Sequence, residues 1–117
     1  MLEVLAYTLL GVGLGTFTGL IPGVHVNNLV PLLVGASAIS GLLPMHLAAV
    51  IVAMMITHTL ISYIPATFLG APEPGTELSV LPAHRMLLEG RGYEVVRLTA
   101  FGCLGALMLS AALAIPL

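Results

Sequence analysis

The chain has 117 residues, of which 59% are hydrophobic and only 7% are charged, and its formal net charge is −2. Soluble domains carry about 25% charged residues, so this composition excludes a soluble protein. The absence of lysine argues against nucleic acid as a partner. Aspartate is also absent, and no arrangement of side chains supports nucleophilic enzyme chemistry. No histidine spacing is typical of a metal site, so we expect neither a metal nor another cofactor.

Charged residues are absent between Glu3 and Glu73 and again after Arg97. A helix needs about 20 apolar residues to cross the hydrocarbon core of a bilayer. Residues 4–72 therefore hold about three passages and residues 98–117 hold one more. We predict an all-α integral membrane protein with three to four transmembrane or re-entrant helices, some of them broken by Pro and Gly. Residues 1–117 are expected to form a single transmembrane domain.

The first predicted helix covers residues 4–21, and no positive segment of a cleaved signal peptide precedes it. Three of its glycines recur every four residues and share one face, which favours helix packing against another backbone: Gly11, Gly15 and Gly19. A Pro-Gly pair then interrupts the apolar run, and polar side chains follow at once: Pro22, Gly23, His25, Asn27 and Asn28. Such a break survives in a membrane only where protein or a watery cavity satisfies the backbone.

A weak second element is expected over residues 32–43, and the sequence leaves open whether residues 22–43 cross the membrane or turn back. A spanning helix is predicted over residues 45–63, with its exit near Pro65. His58 within it is either a proton relay or a packing histidine that is satisfied by its neighbours.

Residues 67–82 form a second predicted break, because prolines and glycines recur too densely for a continuous helix. A short amphipathic helix over residues 81–89, with His84 on its surface, should lead to the last span. The three arginines fall between the third and fourth apolar runs: Arg85, Arg91 and Arg97. The positive-inside tendency places residues 73–97 in the cytoplasm, within a cytoplasmic-side loop over residues 65–97 of a multi-pass plasma-membrane protein.

Paired Gly/Pro interruptions inside apolar segments indicate a transporter binding site. Each break creates a helix N-terminus, whose free amides and dipole favour an anion such as a carboxylate. The two breaks read Gly19-Leu-Ile-Pro22-Gly23 and Gly70-Ala-Pro72-Glu-Pro74-Gly75-Thr76. This pattern predicts that small organic anions bind there.

The same residues carry a resemblance to a known family. Gly11-x-x-x-Gly15-x-x-x-Gly19-Leu-Ile-Pro22-Gly23 is followed by Thr67-Phe-Leu-Gly70-Ala-Pro and by Leu81-Pro82-x-His-Arg-x-Leu-Leu-Glu-Gly90-Arg-Gly92-Tyr-Glu. With these motifs the chain resembles the large permease subunit of the tripartite tricarboxylate transporter family, in its archaeal branch. The match covers nearly all of this chain and the N-terminal portion of a much longer family member. We therefore expect the N-terminal part of a longer permease, or a half-transporter.

The resemblance implies a secondary active transporter of di- or tricarboxylates, coupled to a Na⁺ or H⁺ gradient and built from inverted repeats. The implied partners are the lipid bilayer, the remainder of the permease or further copies of the chain, a small membrane subunit and a soluble substrate-binding protein. Carried over residue by residue, the substrate-binding positions are Pro22, Gly23, Asn27, Asn28, Gly70, Pro72, Gly75 and Thr76. Glu73 and His25 are the candidates for cation coupling.

Two alternatives stay open. Common family members have small neutral residues where this chain has Glu73 and Glu77, and a carboxylate beside an anion site repels the ligand unless it is protonated or paired. Either Glu73 binds the coupling cation, or both glutamates favour the dipole of the following helix. The alternative function is a non-transporting assembly subunit that packs through its glycine-rich first helix.

Overall fold

A computed structural model describes residues 1–73 and 76–114, and this part of the chain is all-α. Its helices are α1 (Leu2–Leu20), α2 (Val26–Ser40), α3 (Pro44–Leu69), α4 (Glu77–Leu88) and α5 (Gly92–Ala114). By length and hydropathy α1, α3 and α5 could each cross a membrane, whereas α2 is a shorter apolar helix. The predicted all-α membrane fold is confirmed. The chain divides into two compact units, residues 1–65 and residues 66–117.

In the first unit α1 and α3 run parallel to each other. Their contacts advance together along both helices, from the Tyr7 and His46 rings, stacked with centroids 4.4 Å apart, to Gly19 beside Ile61. The glycines of α1 lie directly on the backbone of α3. A Cβ added to Gly15 would stand 2.5 Å from the Met54 carbonyl oxygen, and one added to Gly11 would clash with the Val50 carbonyl oxygen. The absence of side chains on this face is what permits the approach.

The helix α2 runs back alongside the parallel pair. The chain leaves α1 at Leu20 and enters α3 at Pro44, and in a parallel pair these two ends lie at opposite ends of the bundle. The last turns of α2 accordingly lie beside the first halves of α1 and α3. There they line a groove of about 120 Å³, whose walls include Tyr7, Leu10, Ser37, Ser40 and Leu47. Residues 21–43 thus traverse the full length of this unit.

In the second unit α4 packs against the start of α5. Val80, Ala83 and Val95 are buried, whereas most of α5 is exposed. Arg91 lies in the turn between the two helices, where its Nη2 donates to Glu94 Oε1 over 2.7 Å and its Nε donates to Glu94 Oε2 over 2.8 Å. This hydrogen bond, followed by the carboxylate charge, raises the pKa of Arg91 above its ordinary value. Arg91 therefore stays ionised just ahead of α5.

Several helix ends predicted from the sequence are wrong because the prolines lie inside helices. α2 begins at Val26 and contains Pro31. α3 continues through Pro65 to Leu69. α4 begins at Glu77 and contains Pro82. α5 begins at Gly92 rather than near residue 98 for a different reason, because the charged Glu94 and Arg97 lie inside the helix. A proline deletes one hydrogen bond of the ladder, and neighbouring elements in a membrane protein can compensate for that loss.

Candidate functional site

The first break is a tight turn over residues 21–24. The Val24 amide donates to the Ile21 carbonyl oxygen over 3.3 Å, and Gly23 has φ +84°. Proline at the second position and a positive φ at the third define a type II turn, which explains why Pro22 and Gly23 occur in this order. Nothing lies within 4 Å of a Cβ built on Gly23. Glycine is therefore required at position 23 by the positive φ of the backbone and not by close packing.

Polar groups collect where this turn enters α2. His25 is the N-cap residue but makes no side-chain capping bond, and the side chains of His25, Asn27 and Asn28 are exposed. The Asn28 amide donates to the His25 carbonyl oxygen over 3.0 Å. Pro31 has no N–H to give to the Asn27 carbonyl oxygen four residues earlier. This end of α2 thus presents amide side chains, helix-terminal N–H groups and a carbonyl released from the ladder.

Just after α3 ends at Leu69, the chain turns at Gly70, which has φ +63°. The Gly70 amide donates to the Thr67 carbonyl oxygen over 3.3 Å, and the Ala71 amide donates to the Ala66 carbonyl oxygen over 3.0 Å. This pair of bonds around a left-handed glycine is a Schellman motif. It consumes two of the carbonyl oxygens that a helix end leaves free.

The remainder of the second break lies just ahead of α4. Pro72 and Glu73 are half-buried. Thr76 is the N-cap residue of α4, but its hydroxyl donates to the Glu73 carbonyl oxygen over 2.8 Å and does not cap the helix. Glu77 is exposed in the first turn of α4, where it favours the helix dipole. Glu73 precedes α4 by four residues, so the dipole explanation fits Glu77 by position and does not fit Glu73.

One predicted substrate residue, Gly75, lies outside the described residues, as does Pro74. No group of three or more His, Cys, Asp or Glu side chains able to hold a metal ion occurs in residues 1–73 and 76–114.

His84 is not a surface residue, in contrast to the prediction from the sequence. It is half-buried, and its Nδ1 lies 2.7 Å from the Thr67 carbonyl oxygen at the end of α3. Its ring also covers Gly70, since a Cβ built there would stand 2.8 Å from Nε2 of His84. The signal in the sequence was the motif that contains Thr67, Gly70 and His84 together, but the spacing of 17 residues from Thr67 to His84 did not reveal their contact.

His58 lies in the interior of the first unit with only 5% of its surface exposed. Its Nδ1 lies 3.0 Å from the Thr18 hydroxyl oxygen, which is also buried. Thr18 additionally lies 3.3 Å from the Gly15 carbonyl oxygen, to which its hydroxyl can donate. Of the two interpretations left open by the sequence, this contact favours the packing histidine, whose ring nitrogen joins α1 to α3.

Comparison with known proteins identifies a family and a relative that match most of the chain. The profile of the family described as tripartite tricarboxylate transporter TctA family matches residues 5–117. An uncharacterized protein of Methanocaldococcus jannaschii is 40% identical over 101 residues, which are 84% of this chain and 24% of that protein. The chain thus spans about a quarter of the length of this curated relative. No solved structure matches the chain.

Proposed function

The chain belongs to the tripartite tricarboxylate transporter TctA family, and from this premise we propose that it forms part of a secondary active transporter that moves di- or tricarboxylates across the plasma membrane. The observation that carries the proposal is the family match over residues 5–117. The three apolar helices long enough to cross a bilayer agree with a transporter component. Transport is driven by a Na⁺ or H⁺ gradient, and the functional unit includes further permease segments.

In this proposal the first break binds the anion through neutral groups. The exposed Asn27 and Asn28 side chains offer amide donors to a carboxylate, next to the amides at the N-terminus of α2, where the helix dipole favours negative charge. Pro22 and Gly23 shape the backbone of this half-site. Neutral donors avoid the free-energy cost of holding an arginine at membrane depth.

The second break contributes Gly70, Pro72, Gly75 and Thr76 to substrate binding. Glu73 is assigned to the coupling cation, because it is half-buried and too far ahead of α4 to act on its dipole. His25, exposed at the start of α2, is the candidate for proton coupling. Ionisable residues in membrane segments often mark ion pathways and proton relays, which supports this choice of candidates.

The partners proposed for the complete transporter are a small membrane subunit and a soluble substrate-binding protein. The segment with the three arginines, residues 73–97, is placed on the cytoplasmic side by the positive-inside tendency. The alternative of an assembly subunit loses its basis, since α3 of the same chain occupies the face of Gly11, Gly15 and Gly19.

Native mass spectrometry of the detergent-solubilised protein against a panel of di- and tricarboxylates tests the proposal. We expect one carboxylate to be retained and the Asn27→Ala, Asn28→Ala and Thr76→Ala variants to weaken its binding by about tenfold each, as for loss of one charge-assisted hydrogen bond. Ser37→Ala, on the far turns of α2, is the matched control and should bind normally. Unchanged binding in all three variants would remove these residues from the site.

A further inference from the structure

The contact of His84 with the end of α3 fixes the protonation of its ring. The partner of Nδ1 is the Thr67 carbonyl oxygen, 2.7 Å away. A carbonyl oxygen only accepts hydrogen bonds, so Nδ1 must carry the proton. In the neutral ring Nε2 is then unprotonated, and this edge of the ring is the one that lies against Gly70. His84 thus acts as a donor on one edge and as a packing surface on the other.

A second turn in the chain shows that this contact is not needed to end a helix. Gly90 follows α4 in the same Schellman arrangement, with the Gly90 amide on the Leu87 carbonyl oxygen and the Arg91 amide on the Met86 carbonyl oxygen. Its φ of +81° resembles that of Gly70. Yet nothing lies within 4 Å of a Cβ built on Gly90. The imidazole at Gly70 therefore does something other than close the turn.

Its position along α4 indicates what that is. His84 lies two turns into α4, while Thr67 and Gly70 lie at the end of α3. The second break runs between these two elements. A bond from α4 back to the end of α3 holds both ends of the break at a fixed separation, and Pro72, Glu73 and Thr76 lie in between.

We propose that His84 is a positioning residue for the second break, where its contacts with Thr67 and Gly70 hold the two ends of the carboxylate-binding segment at a fixed separation. This inference rests on the proposed function, since it names the residue that holds one of its half-sites. His84 itself does not touch the ligand. Without its bond the break loses its fixed span, and the ligand must then restore that geometry on binding.

The test compares His84→Ala, His84→Asn, His84→Phe and Arg85→Ala in the full chain. Asparagine places an N–H close to the position of Nδ1, phenylalanine keeps a ring without a donor, and Arg85 is the exposed neighbour that serves as control. We expect carboxylate affinity to fall about tenfold for His84→Ala and His84→Phe. The affinity should stay within about twofold of the native value for His84→Asn and Arg85→Ala, because both variants keep a donor to the Thr67 carbonyl oxygen and this hydrogen bond positions the break. Equal losses in His84→Asn and His84→Ala would overturn the proposal, as would native affinity in His84→Phe and His84→Ala.

Amide hydrogen exchange separates this proposal from the function on which it rests. The Ala71 amide donates to the Ala66 carbonyl oxygen of α3, and the Thr76 amide donates to the Glu73 carbonyl oxygen. The exchange of both amides should accelerate about tenfold in His84→Phe but not in His84→Asn or Arg85→Ala. This readout needs no ligand. If the native chain binds no carboxylate while exchange follows this pattern, the proposed function fails and the positioning role of His84 stands. If exchange is the same in all variants, the positioning role fails.

Discussion

Gly15 and Gly13 lie two residues apart on α1, yet a methyl group would meet different surroundings at each. A Cβ on Gly15 would come within 2.8 Å of the Thr57 Cβ and 2.5 Å of the Met54 carbonyl oxygen, whereas a Cβ on Gly13 would meet nothing within 4 Å. The backbone of α3 cannot yield locally, so one methyl group at Gly15 must push the two helices apart.

We therefore expect Gly15→Ala to lower the free energy of unfolding by about 1–3 kcal/mol, the usual range for overpacking. Gly13→Ala should instead be neutral or stabilising by up to about 1 kcal/mol, because alanine is the better helix former. Unfolding in detergent mixtures measures both variants. Equal stability of the two would show that the α1–α3 contact is looser than described.

Two buried threonines form a second matched pair. Thr18 shares a hydrogen bond with His58, while the Thr67 hydroxyl, in a residue only 2% exposed, has no partner among the described residues. Thr18→Val should destabilise by about 0.6–1.7 kcal/mol, as for interhelical bonds in membranes. Thr67→Val should stabilise by about 1 kcal/mol, since it removes an unsatisfied polar group. The same unfolding assay decides, and a destabilising Thr67→Val would indicate a partner for that hydroxyl.

At the scale of the helices, three of the described helix ends lie beside glycines, and three prolines lie inside the described helices. The apolar lengths and charge gaps were enough to predict α1, α3 and α5. The predicted ends near Pro31, Pro65 and Pro82 were wrong, because each proline removes one bond while the helix continues around it. The ends of α2, α3 and α4 occur instead beside glycines with positive φ, namely Gly41, Gly70 and Gly90. α1 ends at Leu20, where the extended Ile21 precedes Pro22. For the candidate site, the sequence located both breaks but missed His84, since a contact between distant segments depends on tertiary packing that no local pattern encodes.

Substitution of Pro31 tests how the proline near the first break affects the stability of α2. Pro31→Ala can restore the bond to the Asn27 carbonyl oxygen, so we expect α2 to become more stable, by at most the roughly 3 kcal/mol difference between proline and alanine inside a helix. Pro44→Ala is the control, because Pro44 is the first residue of α3, where the missing N–H has no partner in any case. Thermal unfolding of both variants provides the comparison. A Pro31→Ala variant no more stable than Pro44→Ala would mean that the Asn27 carbonyl oxygen already accepts a hydrogen bond from another donor.

At the scale of the first unit, the parallel pair dictates how the chain is threaded. α1 has 19 residues and is therefore about 28 Å long, close to the thickness of the hydrocarbon core. A chain that leaves one end of α1 and enters α3 beside the other end must cover that distance. The 15 residues of α2 provide about 22 Å, and the connecting residues on either side provide the rest. From this geometry we predict that residues 22–43, which the sequence left open, cross the membrane rather than turn back.

Cysteine labelling in intact cells tests this threading. In a Cys103→Ala background, single cysteines at the exposed positions Leu2, Met45 and Ile21 are treated with a membrane-impermeant thiol reagent. We expect Leu2→Cys and Met45→Cys to react from the same side of the membrane and Ile21→Cys from the opposite side. Reaction of Met45→Cys from the same side as Ile21→Cys, with Leu2→Cys on the opposite side, would mean that residues 21–43 turn back within the bilayer.

The bond between Thr18 and His58 joins residues 40 positions apart in the chain. Ribosomes add about 5–20 residues per second, so α1 enters the membrane some 2–8 s before the helix that covers its glycines exists. During that interval α1 is a lone helix with a bare face and a hydroxyl in lipid. Before α3 is present, the Thr18 hydroxyl can donate to the Gly15 carbonyl oxygen of its own helix. It forms the hydrogen bond with His58 once α3 has packed against α1. The order of synthesis thus makes the α1–α3 contact a late event, and the nascent chain must keep α1 from other helices until that moment.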